Sequence, residues 1–92
     1  MNEHHKVTVY GNRTCPFCGA ARMLLTKKSV EFEDIVITDD VQKEQEMLTR
    51  SGTRTVPQIF VGDSLIGGFD ELYALDKSGE LDKLLAGQPG EP

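Results

Sequence analysis

Apolar and polar positions alternate through Lys6-Val7-Thr8-Val9-Tyr10, the period of two expected of a β-strand. Gly11-Asn12-Arg13-Thr14 then supplies turn residues. From Pro16 to Lys28 the period lengthens, and Ala20, Ala21, Leu24 and Leu25 share one helical face. Pro16 suits the first helical position, where its missing N–H would have had no partner. Glu31 to Ile37, rich in β-branched and aromatic residues, predicts a second strand. The helix between the two strands makes a βαβ unit with parallel pairing. Thr38-Asp39-Asp40 offers N-cap oxygens to a helix running as far as Arg50, with Val41, Met47 and Leu48 as a thin apolar stripe and Gly52 as its stop.

Gln58 to Val61, the pair Gly62-Asp63, and Ser64 to Gly67 predict two antiparallel strands joined by a tight turn, with Pro57 at the first strand position, one that proline tolerates. Gly67-Gly68 breaks the pattern. Phe69, Leu72, Tyr73 and Leu75 then mark a short helix stopped near Gly79, and Leu81, Leu84 and Leu85 extend a final amphipathic turn or two. Residues 1–86 are expected to form a single domain, and 87–92, rich in glycine and proline, a disordered tail. No internal repeat is present. The order β-α-β-α-β-β-α predicts an α/β fold of thioredoxin connectivity, a mixed four-stranded sheet flanked by helices.

The chain has 92 residues, 38% of them apolar, which suits one domain. No apolar run approaches the roughly 18 residues that cross a bilayer, so no membrane association is expected. The start of the chain lacks the basic, apolar and small-residue segments of a secretory signal, which makes the cytoplasm the expected compartment. Fifteen acidic against ten basic side chains leave a net charge of −5 and no cationic cluster to neutralise nucleic-acid phosphates.

Candidate chemistry rests on the two cysteines, in Cys15-Pro16-Phe17-Cys18. A disulfide between them closes a very small loop and constrains the unfolded chain little, so a structural staple explains them poorly. A closed structural zinc site needs about four ligands, and a second cysteine pair is missing. No metal is therefore expected. His4 and His5 are adjacent in a polar terminus and read as a tag fragment or a solvated end. Redox chemistry remains. With Pro16 as the first helical residue, Cys15 is the N-cap, where a thiolate meets unpaired N–H groups and the positive end of the helix dipole; Arg13 is expected to add a cation. Each unit of pKa depression corresponds to roughly 1.4 kcal/mol in favour of the ionised form. Cys15 is the expected nucleophile, and Cys18, one turn into the helix, the resolving thiol. A site at a strand's carboxyl end and a helix start is also where an α/β sheet places chemistry.

Val9-Tyr10, Cys15-Pro16-Phe17-Cys18, Thr55-Val56-Pro57-Gln58-Ile59-Phe60-Val61 and Gly67-Gly68-Phe69-Asp70-Glu71-Leu72 together resemble the dithiol glutaredoxins, from Lys6 to Leu85, in order and with family spacing. The short bacterial glutaredoxin 3 type is similar also around Arg50-Ser51-Gly52 and Leu72 to Asp76. The resemblance implies a glutathione-dependent thiol-disulfide oxidoreductase that reduces protein disulfides and glutathione mixed disulfides, with Cys15 and Cys18 as catalytic pair. Phe17 would flank the glutathione sulfur. Val56, before a cis Pro57, would pair its backbone with the cysteinyl part of glutathione. Gly68 and the helix start at Phe69 would meet the γ-glutamyl carboxylate, and Asp70 its ammonium group. Thr55 would support these contacts or cap a turn. Many members carry a lysine three residues before the first cysteine; Asn12 stands there, leaving Arg13 or Arg54 to meet the glycyl carboxylate.

The family further implies a monomer with no permanently bound cofactor and with glutathione as reductant and co-substrate. Its partners would be glutathionylated or disulfide-containing proteins, ribonucleotide reductase being one candidate. Related readings are a ribonucleotide-reductase redoxin fed by thioredoxin reductase, whose members lack the Gly-Gly-Phe-Asp-Glu helix start, and an iron-sulfur carrier, more usual with Cys-Gly-Phe-Ser. A thioredoxin proper would place Gly-Pro between its cysteines and a Trp before them, and this chain has no Trp.

Overall fold

The alternation along the first strand divides its side chains between two faces, and in the computed structural model, which describes residues 6–86, each face receives its own set of helices. The elements run β1 (Val7–Gly11), α1 (Pro16–Lys27), β2 (Phe32–Val36), α2 (Val41–Ser51), β3 (Gln58–Val61), β4 (Ser64–Gly67), α3 (Phe69–Ser78) and α4 (Glu80–Ala86). The sheet order is β2-β1-β3-β4. β1 pairs with β2 in parallel, from Val7↔Phe32 to Gly11↔Val36, and with β3 antiparallel, from Val7↔Val61 to Tyr10↔Gln58; β3 and β4 are antiparallel. The mixed four-stranded sheet flanked by helices is the architecture expected from the sequence.

As an inner strand covered on both faces, β1 is buried at all five positions. Val7 and Val9 join Ile59 and Val61 on one face, packed against Ala21 and Leu25 of α1, Leu72 of α3 and Leu81 of α4. Tyr10, Ile35, Ile37 and Phe60 form the other face and meet Met47 of α2. Helix α2 starts where Asp40 Oδ1 accepts the Lys43 N–H at 3.0 Å, and ends at Gly52, whose φ of 81° is left-handed.

Three expectations change in detail. Val41, the first residue of α2, is 77% exposed and belongs to no apolar stripe, and α2 buries Met47 alone. The second strand ends at Val36, although the Ile37 N–H still donates to the Gly11 carbonyl at 2.8 Å. The closing turns are a separate seven-residue helix, so the order ends in two helices rather than one. Gly79, at φ 86°, stops α3, Leu81 anchors α4 in the core, and Lys28 reaches Asp76 and Asp82, each at 2.9 Å. No helix among the described residues is long and apolar enough to cross a membrane. His4, His5 and the expected tail 87–92 lie outside the described residues.

Candidate active site

Pro16 opens α1, and Cys15 before it has the extended backbone of an N-cap, φ −80° and ψ 120°. Its carbonyl accepts the Gly19 N–H at 3.1 Å and its Sγ accepts the Cys18 N–H at 3.4 Å. The sulfur thus does what an N-cap oxygen usually does. Cys15 is half-buried, whereas Cys18 is 0% exposed, and both are free thiols. Burial works against ionisation of Cys15, but hydrogen bonds from the Cys18 thiol and from the Cys18 and Phe17 N–H groups, joined by the charge of Arg22, outweigh it and hold its pKa below the usual thiol value. Burial pushes the Cys18 thiol up to about 11, against the pull of the Asn12 N–H, and the neighbouring Cys15 adds to the rise.

The cation that bears on both sulfurs is Arg22, which corrects the expectation placed on Arg13. Arg13 is exposed, and its backbone N–H donates to Thr38 Oγ1 at 3.2 Å. Arg22 instead turns back towards the β1–α1 loop: Nη2 donates to the Asn12 carbonyl at 3.1 Å and Nε to Asp34 Oδ1 at 3.0 Å. Asn12, at the position of the family lysine, has a structural part of its own. Its N–H donates to Cys18 Sγ at 3.4 Å, and its Oδ1 accepts from Thr38 Oγ1. Gly11 is needed here because a Cβ would lie 2.9 Å from Cys18 Sγ.

Beside the dithiol runs a groove of about 460 Å3, of a size that takes a small peptide-like molecule. Phe17, 59% exposed, forms one wall and stacks on Phe69 at 6.2 Å between ring centroids, which in turn stacks on Tyr73 at 5.8 Å. Thr55, Val56, Pro57, Gly68, Phe69 and Asp70 line it too, with residues of β4 and Glu71 of α3. The Val56–Pro57 peptide bond is cis, as the resemblance implied. Val56 lies beyond the β1–β3 ladder, which begins at Tyr10↔Gln58, so its backbone N–H and C=O take no part in sheet pairing. At the groove's far side, the first-turn N–H groups of α3 have no intrahelical acceptor. The Gly68 N–H is taken by Glu71 Oε1 at 2.8 Å, and Gly67, not Gly68, is the position with a left-handed φ, 119°.

Phe17, Thr55, Val56, Pro57, Gly68, Phe69 and Asp70 therefore line one groove, with Cys15 and Cys18 adjoining it in sequence through Phe17, while Arg13 and Arg54 are exposed and outside the groove lining. Two contributors escaped the sequence reading. Arg22 stands at i+4 from Cys18, a spacing that puts both on one face of α1 and could have flagged it. Gln58 is buried in β3, and its Nε2 donates to the Thr55 carbonyl at 2.9 Å and lies 3.0 Å from Thr55 Oγ1, bracing the loop before Pro57. No sequence pattern marks that contact. Among the described residues no three His, Cys, Asp or Glu side chains gather as a metal-binding group.

A nucleophile-ready thiol at a helix start, backed by a buried second thiol, can attack a disulfide and be released by its neighbour. Known proteins match the chain over most of its length. A family model described as glutaredoxin matches residues 7–66. Glutaredoxin 3 of Escherichia coli is 49% identical over 79 residues, covering 86% of this chain and 95% of its own. A probable glutaredoxin of Synechocystis is 53% identical over 85 residues, 91% of this chain and 78% of its own. Among solved structures, glutaredoxin from Brucella melitensis superposes with a TM-score of 0.77 at 43% identity, covering 89% of both chains. The buckwheat glutaredoxin-glutathione complex shares the fold, with a TM-score of 0.79 at 24% identity over 88% of this chain and 76% of that one. Family model, relatives and fold agree over the stretch that holds both cysteines: the chain belongs to the glutaredoxin family, and its chemistry is thiol-disulfide oxidoreduction.

Proposed function

We propose that the protein draws its reducing equivalents from glutathione and reduces glutathione mixed disulfides and protein disulfides through Cys15 and Cys18. The observation that carries this reading is the placement of Cys15: an N-cap sulfur with a lowered pKa, two residues from the aromatic wall of a peptide-sized groove. The Cys15 thiolate attacks the glutathione sulfur of a mixed disulfide, the protein thiol leaves, and a second glutathione restores Cys15 while forming glutathione disulfide. With a protein disulfide, Cys15 forms the mixed disulfide and Cys18 displaces the substrate sulfur.

The groove suits glutathione part by part. The unpaired backbone of Val56 offers a donor and an acceptor to the cysteinyl residue, as a short added strand would need. The first turn of α3 offers N–H groups and a positive dipole end to the γ-glutamyl carboxylate, with the exposed Asp70 beside it for the ammonium group. Phe17 covers the sulfur, and Thr55, braced by Gln58, holds the loop. For the glycyl carboxylate the chain offers Arg13 or Arg54, both exposed and both outside the groove lining. The buckwheat relative, solved as a glutathione complex, has the same fold.

Turnover of a glutathionylated peptide driven by glutathione and glutathione reductase, measured beside turnover driven by thioredoxin reductase, tests the reading. Efficient reduction by the first system is expected. Efficient reduction by the second system alone would remove glutathione from the mechanism.

A further inference from the structure

Arg22 is held more firmly than a solvated helix arginine needs to be. Its side chain is 21% exposed, it pairs with Asp34 across the β2 edge, and its Nη2 is bonded to the Asn12 carbonyl. The space above Gly11 shows what the guanidinium faces. A single point, where a Cβ on Gly11 would sit, lies 2.9 Å from Cys18 Sγ and 3.1 Å from Arg22 Nη2. Sulfur and guanidinium are therefore no more than about 6 Å apart, a distance at which a full positive charge acts strongly on a charge shielded from water. Asn12 lies between them, its N–H on the sulfur and its C=O on the arginine.

We propose that Arg22, locked in place by Asp34 and Asn12, is a positioning residue that stabilises the negative charge on Cys18 while Cys18 resolves the mixed disulfide on Cys15. This rests on the division of labour between the two cysteines proposed above. In the resolving step the Cys18 thiol gives its proton to solvent and its thiolate attacks Cys15 Sγ. The bond between Cys15 and the substrate sulfur breaks, the substrate sulfur leaves with the electron pair as a thiolate, and the Cys15–Cys18 disulfide forms. The protein dithiol is oxidised by two electrons and the substrate disulfide reduced by two. A fully buried thiol ionises rarely, and what favours its thiolate here is the Asn12 N–H together with the Arg22 charge that Asn12 and Asp34 hold in place. The glutathione-only route never uses Cys18 and feels Arg22 only through Cys15.

The test uses the full chain, reduced and mixed in a stopped-flow instrument with dithiobis(nitrobenzoate), an aromatic disulfide whose released thiolate is coloured. The first equivalent released reports attack by Cys15, and the second reports resolution by Cys18. Arg22→Gln is expected to slow the second phase about fivefold more than the first and to displace its pH profile upward, as loss of a facing positive charge requires. Arg22→Lys restores most of the second phase. Equal slowing of both phases, an unmoved pH profile, or a lysine variant no better than glutamine overturns the proposal. Should Arg22→Gln fail to fold by circular dichroism, Asp34→Asn, which keeps the arginine and frees it, must still slow the second phase selectively; an unchanged second phase overturns the proposal there too. A wild-type protein that releases no second equivalent, or a Cys18→Ser variant that still does, sinks the dithiol reading itself rather than the part given to Arg22.

Discussion

Positions 15 and 18 carry the same side chain and have opposite chemistry, because one sulfur caps a helix and the other lies inside the protein. Cys15 ionises more readily than an ordinary thiol and Cys18 only near pH 11. Alkylation by iodoacetamide followed by mass spectrometry should show it. The rate at Cys15 rises with pH and levels off below the usual thiol range, since only the thiolate reacts and its pKa is lowered. Modification of Cys18 in the same sample stays negligible until strongly alkaline pH. A thiol raised that far is almost wholly protonated at pH 7, so its use in resolution depends on the mixed disulfide being held on the neighbouring Cys15, whose sulfur already lies against the Cys18 N–H. Cys18→Ser accordingly should keep most of the deglutathionylation activity while losing reduction of protein disulfides by the dithiol route, as measured with a glutathionylated peptide and a protein disulfide side by side. Loss of both activities would assign the wrong role to Cys18. That Cys15 would be the N-cap was legible from Pro16 alone, because capping depends on immediate neighbours. That Arg22 rather than Arg13 supplies the charge was not, because the arginine reaches its place through Asp34 and Asn12, on other elements.

At the scale of elements, the site is assembled by helix starts and strand ends whose glycines differ in what they do. Gly67 closes β4 at φ 119°, and a Cβ there would also lie 3.0 Å from the Glu71 side chain, whose carboxylate caps α3. Gly67→Ala should cost about 1–3 kcal/mol of stability in urea denaturation, as a side chain forced into a sparsely allowed backbone region does. Gly19, inside α1 with open space where a Cβ would stand, behaves in the opposite way. Gly19→Ala should stabilise by about 0.5–1 kcal/mol, the usual gain of alanine over glycine in a helix interior. As strand breakers Gly67 and Gly68 are equivalent in the sequence, and the resemblance gives a part to Gly68 only. The tertiary position of Glu71 separates them: its carboxylate takes the Gly68 N–H and its chain fills the space over Gly67. Helix α4 was legible only as a turn or two for a related reason. Seven residues have little helical stability alone, and burial of Leu81 with the reach of Lys28 to Asp82 holds them in place.

Across the whole molecule the sheet separates two unequal sides. Helices α1, α3 and α4 cover one face with a continuous apolar cluster, while α2 alone covers the other and is tied to it by a polar clasp. The Tyr10 hydroxyl donates to Glu46 Oε2 at 2.5 Å and accepts from Arg50 Nη1 at 2.8 Å, and the Arg50 guanidinium lies 4.1 Å from the Phe60 ring centroid. Tyr10→Phe keeps the ring in the core and removes only the clasp, so a loss of about 1 kcal/mol in thermal or urea unfolding is expected, with turnover at Cys15 near wild type. A large fall in turnover with little loss of stability would mean that α2 does more than cover the sheet. The sequence by itself determined the elements, the N-cap sulfur, the turn at Gly62-Asp63 and the family, because periodicity, capping and motif spacing are properties of residues close together in the chain. Tertiary structure alone decided the strand order, the meeting of Phe17, Val56 and Phe69 around one groove, and the approach of Arg22 to Cys18. Those contacts join segments far apart in sequence, and what selects them is the packing of whole elements against one sheet, which no local pattern encodes.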